Sequence, residues 1–91
     1  MEIIWSPEAA ADFRSIIQYI RKENDSAALR VARSILRNIR QLEQFPKSGR
    51  PGRVDGTREL PLIPLPFVVV YRVKENIVEL ARVLHGAQRW P

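Results

Sequence analysis

The sequence predicts an α+β fold, with a helical hairpin packed on a small, mainly antiparallel sheet in the order β-α-α-β-β-β. Three observations predict it. Apolar residues recur at helical spacing through two adjacent stretches, near 7–23 and 26–44. The last third is rich in β-formers and breaks into three short runs. Between these halves lies 46–56, which is turn chemistry throughout, with prolines at 46 and 51 and glycines at 49, 52 and 56.

Residues 2–5 read as a short apolar strand. Ser6 is a good N-cap, Pro7 suits the first helical position, and Glu8 sits near the positive end of the helix dipole. Ala9, Phe13, Ile16, Ile17 and Ile20 then mark one buried face. Asn24-Asp25-Ser26 supplies the stop and the next cap. In the second helix the core stripe is Ala28, Ala32, Ile35, Ile39 and Leu42. Arg30, Arg33, Arg37 and Arg40 repeat at steps of three, four and three and line the other side. They form either a solvated face or the wall of a groove for an acidic segment. Thr57 to Ile63 is a strand interrupted by Pro61, which suggests an edge or a bulge. Phe67–Val73 and Ile77–Leu84 flank Lys74-Glu75-Asn76 as a hairpin.

The chain has 91 residues and 45% hydrophobic content, which fits one domain over 1–91 and argues against disorder. No uncharged apolar run is long enough for a membrane span, and no signal-peptide pattern opens the sequence, so a cytoplasmic protein is expected. With no cysteine and one histidine, neither a disulfide framework nor a metal site is expected, and no cofactor is implied. The net charge is +5, and of the 15 cationic residues only 22, 47 and 74 are lysine. Arginine makes forked contacts to phosphate and carboxylate, so an anionic partner is expected, either nucleic acid or an acidic protein segment.

Two places concentrate the chemistry. The loop Gly49–Gly56 joins glycines that permit close backbone approach to the cations Arg50 and Arg53, but lacks the Lys-Ser/Thr pair of a Walker motif. The run from Arg82 to Arg89 holds the single histidine, His85, at the end of a strand. Trp90 is expected to dock rather than remain exposed. Arg72 has a possible cross-hairpin partner in Glu79, and Arg58 a neighbour in Glu59.

Several segments, in order, resemble the RelE/ParE superfamily of toxins from type II toxin–antitoxin (plasmid stabilisation) systems. They are Trp5-Ser6-Pro7-Glu8-Ala9, Ile17-Gln18-Tyr19-Ile20, Phe45-Pro46 with Gly49-Arg50, Gly56-Thr57-Arg58-Glu59-Leu60, Val70-Tyr71-Arg72-Val73 and Arg82-Val83-Leu84-His85-Gly86. The resemblance covers nearly the whole chain. It implies a compact β-α-α-β-β-β core and a cognate antitoxin, expected to be acidic and to contact Arg30, Arg33, Arg37 and Arg40. It also implies one of two toxic activities. RelE-like members cleave mRNA in the ribosome without a metal, and here that role would fall to His85, Arg82, Arg58 and Tyr71. ParE-like members inhibit DNA gyrase by binding and need no hydrolytic site. In either case Arg50, Arg53 and Arg89 are candidates for holding the target or its phosphates. The nuclease branch commonly carries a strand arginine three residues before the tyrosine that Tyr71 resembles, and this chain has Val68 there. An apolar side chain cannot stabilise a phosphorane. That departure, with a tail that stops at Pro91 short of a basic extension, favours the gyrase-inhibiting branch over the endoribonuclease. A basic nucleic-acid-binding module without toxicity is the third reading.

Overall fold

A computed structural model describes residues 1–86 and 88–91. The elements are β1 (Glu2–Trp5), α1 (Pro7–Arg21), α2 (Asp25–Arg40), β2 (Arg50–Pro51), β3 (Arg58–Pro61), β4 (Phe67–Lys74) and β5 (Ile77–His85). The strands form one sheet in the order β1-β5-β4-β3-β2. Every pairing is antiparallel except β1 with β5, which is parallel; after β1 the chain passes through both helices to β2 at the far edge and returns strand by strand to β5. The α+β class and the helical hairpin are therefore as the sequence predicts.

Local chemistry sets the helix ends. The Ser6 hydroxyl oxygen accepts from the Ala9 N–H (3.0 Å) and caps α1, while Pro7 occupies the first turn. The same hydroxyl donates to the Ala81 carbonyl of β5 (3.0 Å), so the cap also fastens the helix to the sheet. Asn24 caps α2 through the Ala27 N–H (2.9 Å), one residue earlier than a start at 26 would require. The second helix stops at Arg40 and tightens into a 3₁₀ turn over Gln41–Glu43, short of the expected end at 44.

The core lies between the hairpin and the sheet. Ala9, Ile35, Ile39 and Leu42 pack on Leu62, Val69, Tyr71, Val78, Leu80 and Val83. Within β4, Phe67, Val69 and Tyr71 belong to that cluster, as the period of two requires. Tyr71 is fully buried, yet its hydroxyl is satisfied twice. It donates to the Pro46 carbonyl (2.8 Å) and accepts from the Gly49 N–H (2.9 Å). A Cβ at Gly49 would lie 2.7 Å from the Tyr71 oxygen and 3.0 Å from the Glu59 carbonyl, so only glycine fits there.

Strand β2 lies inside the stretch read as a loop. Two residues carry no alternation to detect, and the pairing of Arg50 with Glu59 and Pro51 with Arg58 creates the strand. Gly56 turns the chain between β2 and β3 with φ +81. In β5 the register slips by one residue, so Val70 faces Arg82 while Tyr71 faces Leu80, leaving Ala81 as a bulge.

Tyr71→Phe removes one donor and one acceptor at a dry site. We expect a loss of about 1–3 kcal/mol, read from urea unfolding. The 74% exposed Tyr19 changed to Phe should leave the midpoint unmoved.

Candidate functional site

The candidate residues divide into three groups. The first is built into the fold. Arg82 pairs with Val70 of β4 on one side, and on the other lies beyond the last β1–β5 pair, Trp5 with Leu80, where α1 takes the place of a strand. Its Nε donates to Asp12 Oδ2 (2.7 Å) and its Nη2 to Oδ1 (3.0 Å), a forked pair. The Val83 N–H donates to the same carboxylate (2.9 Å). The hydrogen bond to Asp12 raises the pKa of Arg82, opposed by desolvation and assisted by the charges of Asp12 and Glu8. The sequence offered Arg82 as a phosphate-holding residue only for the nuclease branch, and did not single out Asp12. The signal was available: Asp12 lies three residues after Ala9 and four before Ile16, a charge on an apolar stripe.

Arg58 and Tyr71 join this group. Arg58 Nη1 donates to the carbonyls of Gly49 (2.7 Å) and Lys47 (3.4 Å), which braces the entry to β2. The Tyr71 hydroxyl closes the same segment from the core side. Arg72 stands opposite Glu79, as the hairpin register predicted, but the ion pair of Glu79 is with Lys74 (3.6 Å).

The second group borders a small cleft of about 50 Å³ at the end of the sheet. Val68, Val70 and Leu84 are among its lining residues, with Arg50, Arg53, Glu59 and His85 around them. Glu59 is buried at 5% exposure and takes Arg50 Nη2 (3.3 Å) and the Arg53 N–H (3.1 Å), so it answers Arg50 rather than its neighbour Arg58. The His85 ring meets Phe67 edge-on with centroids 6.0 Å apart. The His85 backbone N–H donates to Gln88 Oε1 (2.6 Å). Trp90 lines the same cleft and is half-buried, with its indole nitrogen shielded from solvent. Arg89 is exposed.

The third group is on α2. Arg33, Arg37 and Arg40 border a groove of about 520 Å³ between that helix and β1. Ile3, Trp5, Leu36 and Ile39 supply its apolar lining. Arg40 has Glu43 at 3.9 Å as an exposed partner. Arg30 does not line the groove; it sits one turn after the helix start, with Nη1 3.5 Å from Ser26 Oγ. The arginine row is thus not simply opposite the apolar stripe, because three of its members overhang apolar residues contributed by β1.

Among the described residues, no group of three or more His, Asp or Glu side chains could hold a metal ion. No helix there is long and apolar enough to cross a membrane.

Residues 3–90 match the family described as the ParE toxin of the type II toxin–antitoxin system parDE. The chain belongs to this ParE toxin family. It is similar to "Putative toxin Y4kP" of Sinorhizobium fredii, with 39% identity over 98% of this chain and 92% of that protein. It is also similar to "Toxin RelE2" of Caulobacter vibrioides, with 31% identity over 96% of this chain and 97% of that protein. A solved structure from the chromosomal ParDE toxin–antitoxin system of P. aeruginosa superposes with a TM-score of 0.86 at 30% identity, covering 93% of this chain and 95% of the other. This member of the ParE family is the toxin of a type II pair, and membership implies an antitoxin partner.

Within this toxin the Arg82–Asp12 pair is structural. Asp12→Ala strands a half-buried guanidinium and the Val83 N–H, and should cost about 2 kcal/mol in chemical denaturation. The double variant Asp12→Ala/Arg82→Ala should lose less than the sum of the single changes. The upward shift means that the arginine's contribution is complete below its unfolded-state pKa and is lost only as pH rises through the folded one. Stability between neutral and mildly alkaline pH should therefore not vary on account of Arg82.

Proposed function

We propose that the chain is a ParE-like toxin that arrests growth by binding its target, with DNA gyrase the expected target, rather than by cutting RNA. The observation that carries this reading is the prior commitment of the candidate catalytic groups. A metal-independent endoribonuclease needs fixed cations around a developing phosphorane and an acid–base group in reach of the 2′-hydroxyl. Arg82 turns its fork to Asp12, Arg58 donates to backbone carbonyls, and the Tyr71 hydroxyl makes two hydrogen bonds in the core. Of the four groups, His85 alone borders the cleft at the end of the sheet, where Val68 offers no charge. Arg50, Arg53 and Arg89 then act as contacts to an anionic or polar target surface, not as electrophilic catalysts. One hydrophobic cluster drawing on both helices and four strands supports a single working unit over 1–91.

The alternative is a RelE-like, ribosome-dependent endoribonuclease. One observation favours it: Arg50, Arg53 and His85 border the same cleft. The relative named RelE2 lends the same reading its name. Gyrase supercoiling and translating-ribosome assays separate the two. We expect the wild-type chain to inhibit supercoiling and to leave ribosome-bound mRNA intact, with His85→Ala toxic within about threefold of wild type. Codon-specific mRNA cleavage that vanishes in His85→Ala would reverse the assignment.

We further infer that a cognate acidic antitoxin, acting in the cytoplasm, contacts Arg33, Arg37 and Arg40 in the α2 groove, with Arg30 at its margin. The cationic wall attracts carboxylates, and the apolar lining gives a bound segment something to bury against. Arg33 and Arg37 are exposed, so Arg33→Glu with Arg37→Glu should preserve the fold. The variant should bind the co-expressed antitoxin about tenfold or more weakly at low salt, with a flatter salt dependence. Equal affinity for wild type and variant in both low and high salt would remove this surface from the interface.

A further inference from the structure

The turn between β3 and β4 differs from the cationic surface around it. Residues 61–67 read Pro-Leu-Ile-Pro-Leu-Pro-Phe, with no polar or charged side chain. Ile63 is 82% exposed, and Pro64 and Pro66 are exposed near it. The turn is nonetheless braced. The Leu62 N–H donates to the Phe67 carbonyl (2.9 Å), the Leu65 N–H to the Leu62 carbonyl (2.9 Å), and the Gly86 N–H to the Pro66 carbonyl (2.7 Å). Ile63 is therefore an apolar knob on a fixed mount.

A hole lies beside the knob. Leu65, Pro66 and Phe67 border a slot of about 470 Å³, which Ile16, Ile20 and Val31 of the helical hairpin also line. Tyr19, itself largely exposed, and Ser15 stand on the α1 side. None of the described residues lining this slot is Lys, Arg, Asp or Glu, in a chain of net charge +5. The slot shares no lining residue with the α2 groove. An acidic segment drawn to the arginines finds no cation here. Knob and slot together make an apolar patch, the kind of surface that marks an interaction site on a soluble chain.

We propose that this face joins two copies of the chain about a two-fold axis, with Ile63 of each copy seated in the slot of the other. Three observations select a second copy as the occupant. Knob and slot are neighbours on one surface, the self-complementary arrangement that an isologous contact requires. Both are uncharged, so two cationic chains meet here without setting arginine against arginine, as they would at the α2 groove. The braced turn also needs little ordering on association, which lowers the entropic cost. Size sets the strength. A standard interface takes about 800 Å² and about 20–30 residues from each partner. Slot and turn present fewer residues than that, so the dimer is reversible and concentration-dependent. The proposal goes beyond the toxin reading and does not rest on it.

Sedimentation velocity of the full chain, purified alone and run over about 1–500 µM, tests it. We expect reversible dimerisation with a Kd on the order of 10–100 µM. Ile63→Glu and Ser15→Arg each alter an exposed side chain, so the fold should survive, and an unmoved urea midpoint checks this. Each variant should dimerise about tenfold or more weakly. An equal mixture of the two should dimerise more tightly than either alone. One knob-in-slot contact is then intact, and at the other the introduced carboxylate meets the introduced guanidinium. Phe45→Glu makes the same charge change at another exposed apolar residue and should leave the dimer as it was. A chain that stays monomeric over the whole range overturns the proposal, and loss of antitoxin or gyrase binding in Ile63→Glu would then assign the face to that partner. A dimer that neither slot variant weakens, or that Phe45→Glu weakens as much as Ile63→Glu, overturns it as well. Weakening by both variants without recovery in the mixture overturns the reciprocal seating of Ile63.

Discussion

The hydroxyl of Tyr71 holds the two halves of this molecule in register. The chain leaves the helical layer at Pro46 and must enter the sheet at Arg50. One phenol, rooted in the central strand β4, receives the Gly49 N–H and donates to the Pro46 carbonyl. Buried backbone groups in such a crossing would otherwise lack partners, at a cost comparable to the hydrogen bonds lost. The same contact explains why Gly49 has no side chain and why a strand of two residues persists. Arg58 adds its bond to the Gly49 carbonyl from β3, so both polar groups of that glycine are answered by strand side chains. A tyrosine that looks catalytic in a sequence motif is thereby the keystone of the crossing, and its proton is held by a carbonyl.

Much of this was legible in the sequence because the signals are local. Ser6-Pro7 and Asn24 act within three residues, and the apolar periods of α1 and α2 need no knowledge of the sheet. The β4–β5 hairpin likewise declares itself around Lys74-Glu75-Asn76. What escaped is long-range. Strand β2 exists because of β3, and the Ala81 bulge shifts every later residue of β5 by one place. That bulge, held by the Ser6 hydroxyl, lies beside the residue that α1 then receives through Asp12. The pair joins residues 70 apart in sequence, so no window of sequence contains both partners. The surroundings of the candidate site were the least legible, since Arg50, Arg58 and Arg82 meet carboxylates and carbonyls distant in sequence.

The structure sorts the arginines by what they touch. Arg58 and Arg82 are engaged with Gly49 and Asp12 and brace the sheet's rim, whereas Arg50 pairs with Glu59 and still leaves 59% of its side chain exposed. Arg33 and Arg37 are exposed beside an apolar groove and take no part in the core cluster. The planar guanidinium is suited to both uses, because it satisfies carbonyls and carboxylates in fixed directions and also retains its charge at a partly apolar surface. Net charge alone therefore overstates the cationic surface available to a target. Among the candidate residues, the exposed cations are Arg30, Arg33, Arg37 and Arg40 on α2, with Arg50, Arg53 and Arg89 at the end of the sheet.

That division has a kinetic consequence for how an acidic segment would be held. Exposed arginines act at a distance and mainly set how fast the partner arrives, an effect that salt screens over about 8–10 Å. Contacts that form only after arrival mainly set how long it stays. The apolar lining from Ile3, Trp5 and Leu36 would act in that second way, since burying it against a partner takes apolar surface out of water. Because Arg33 and Arg37 lie outside the core, partner choice can drift through their charges without disturbing the crossing that Tyr71 holds. Changes in β1 do not share that freedom, since Ile3 and Trp5 pack against the hydrophobic cluster and line the α2 groove at the same time.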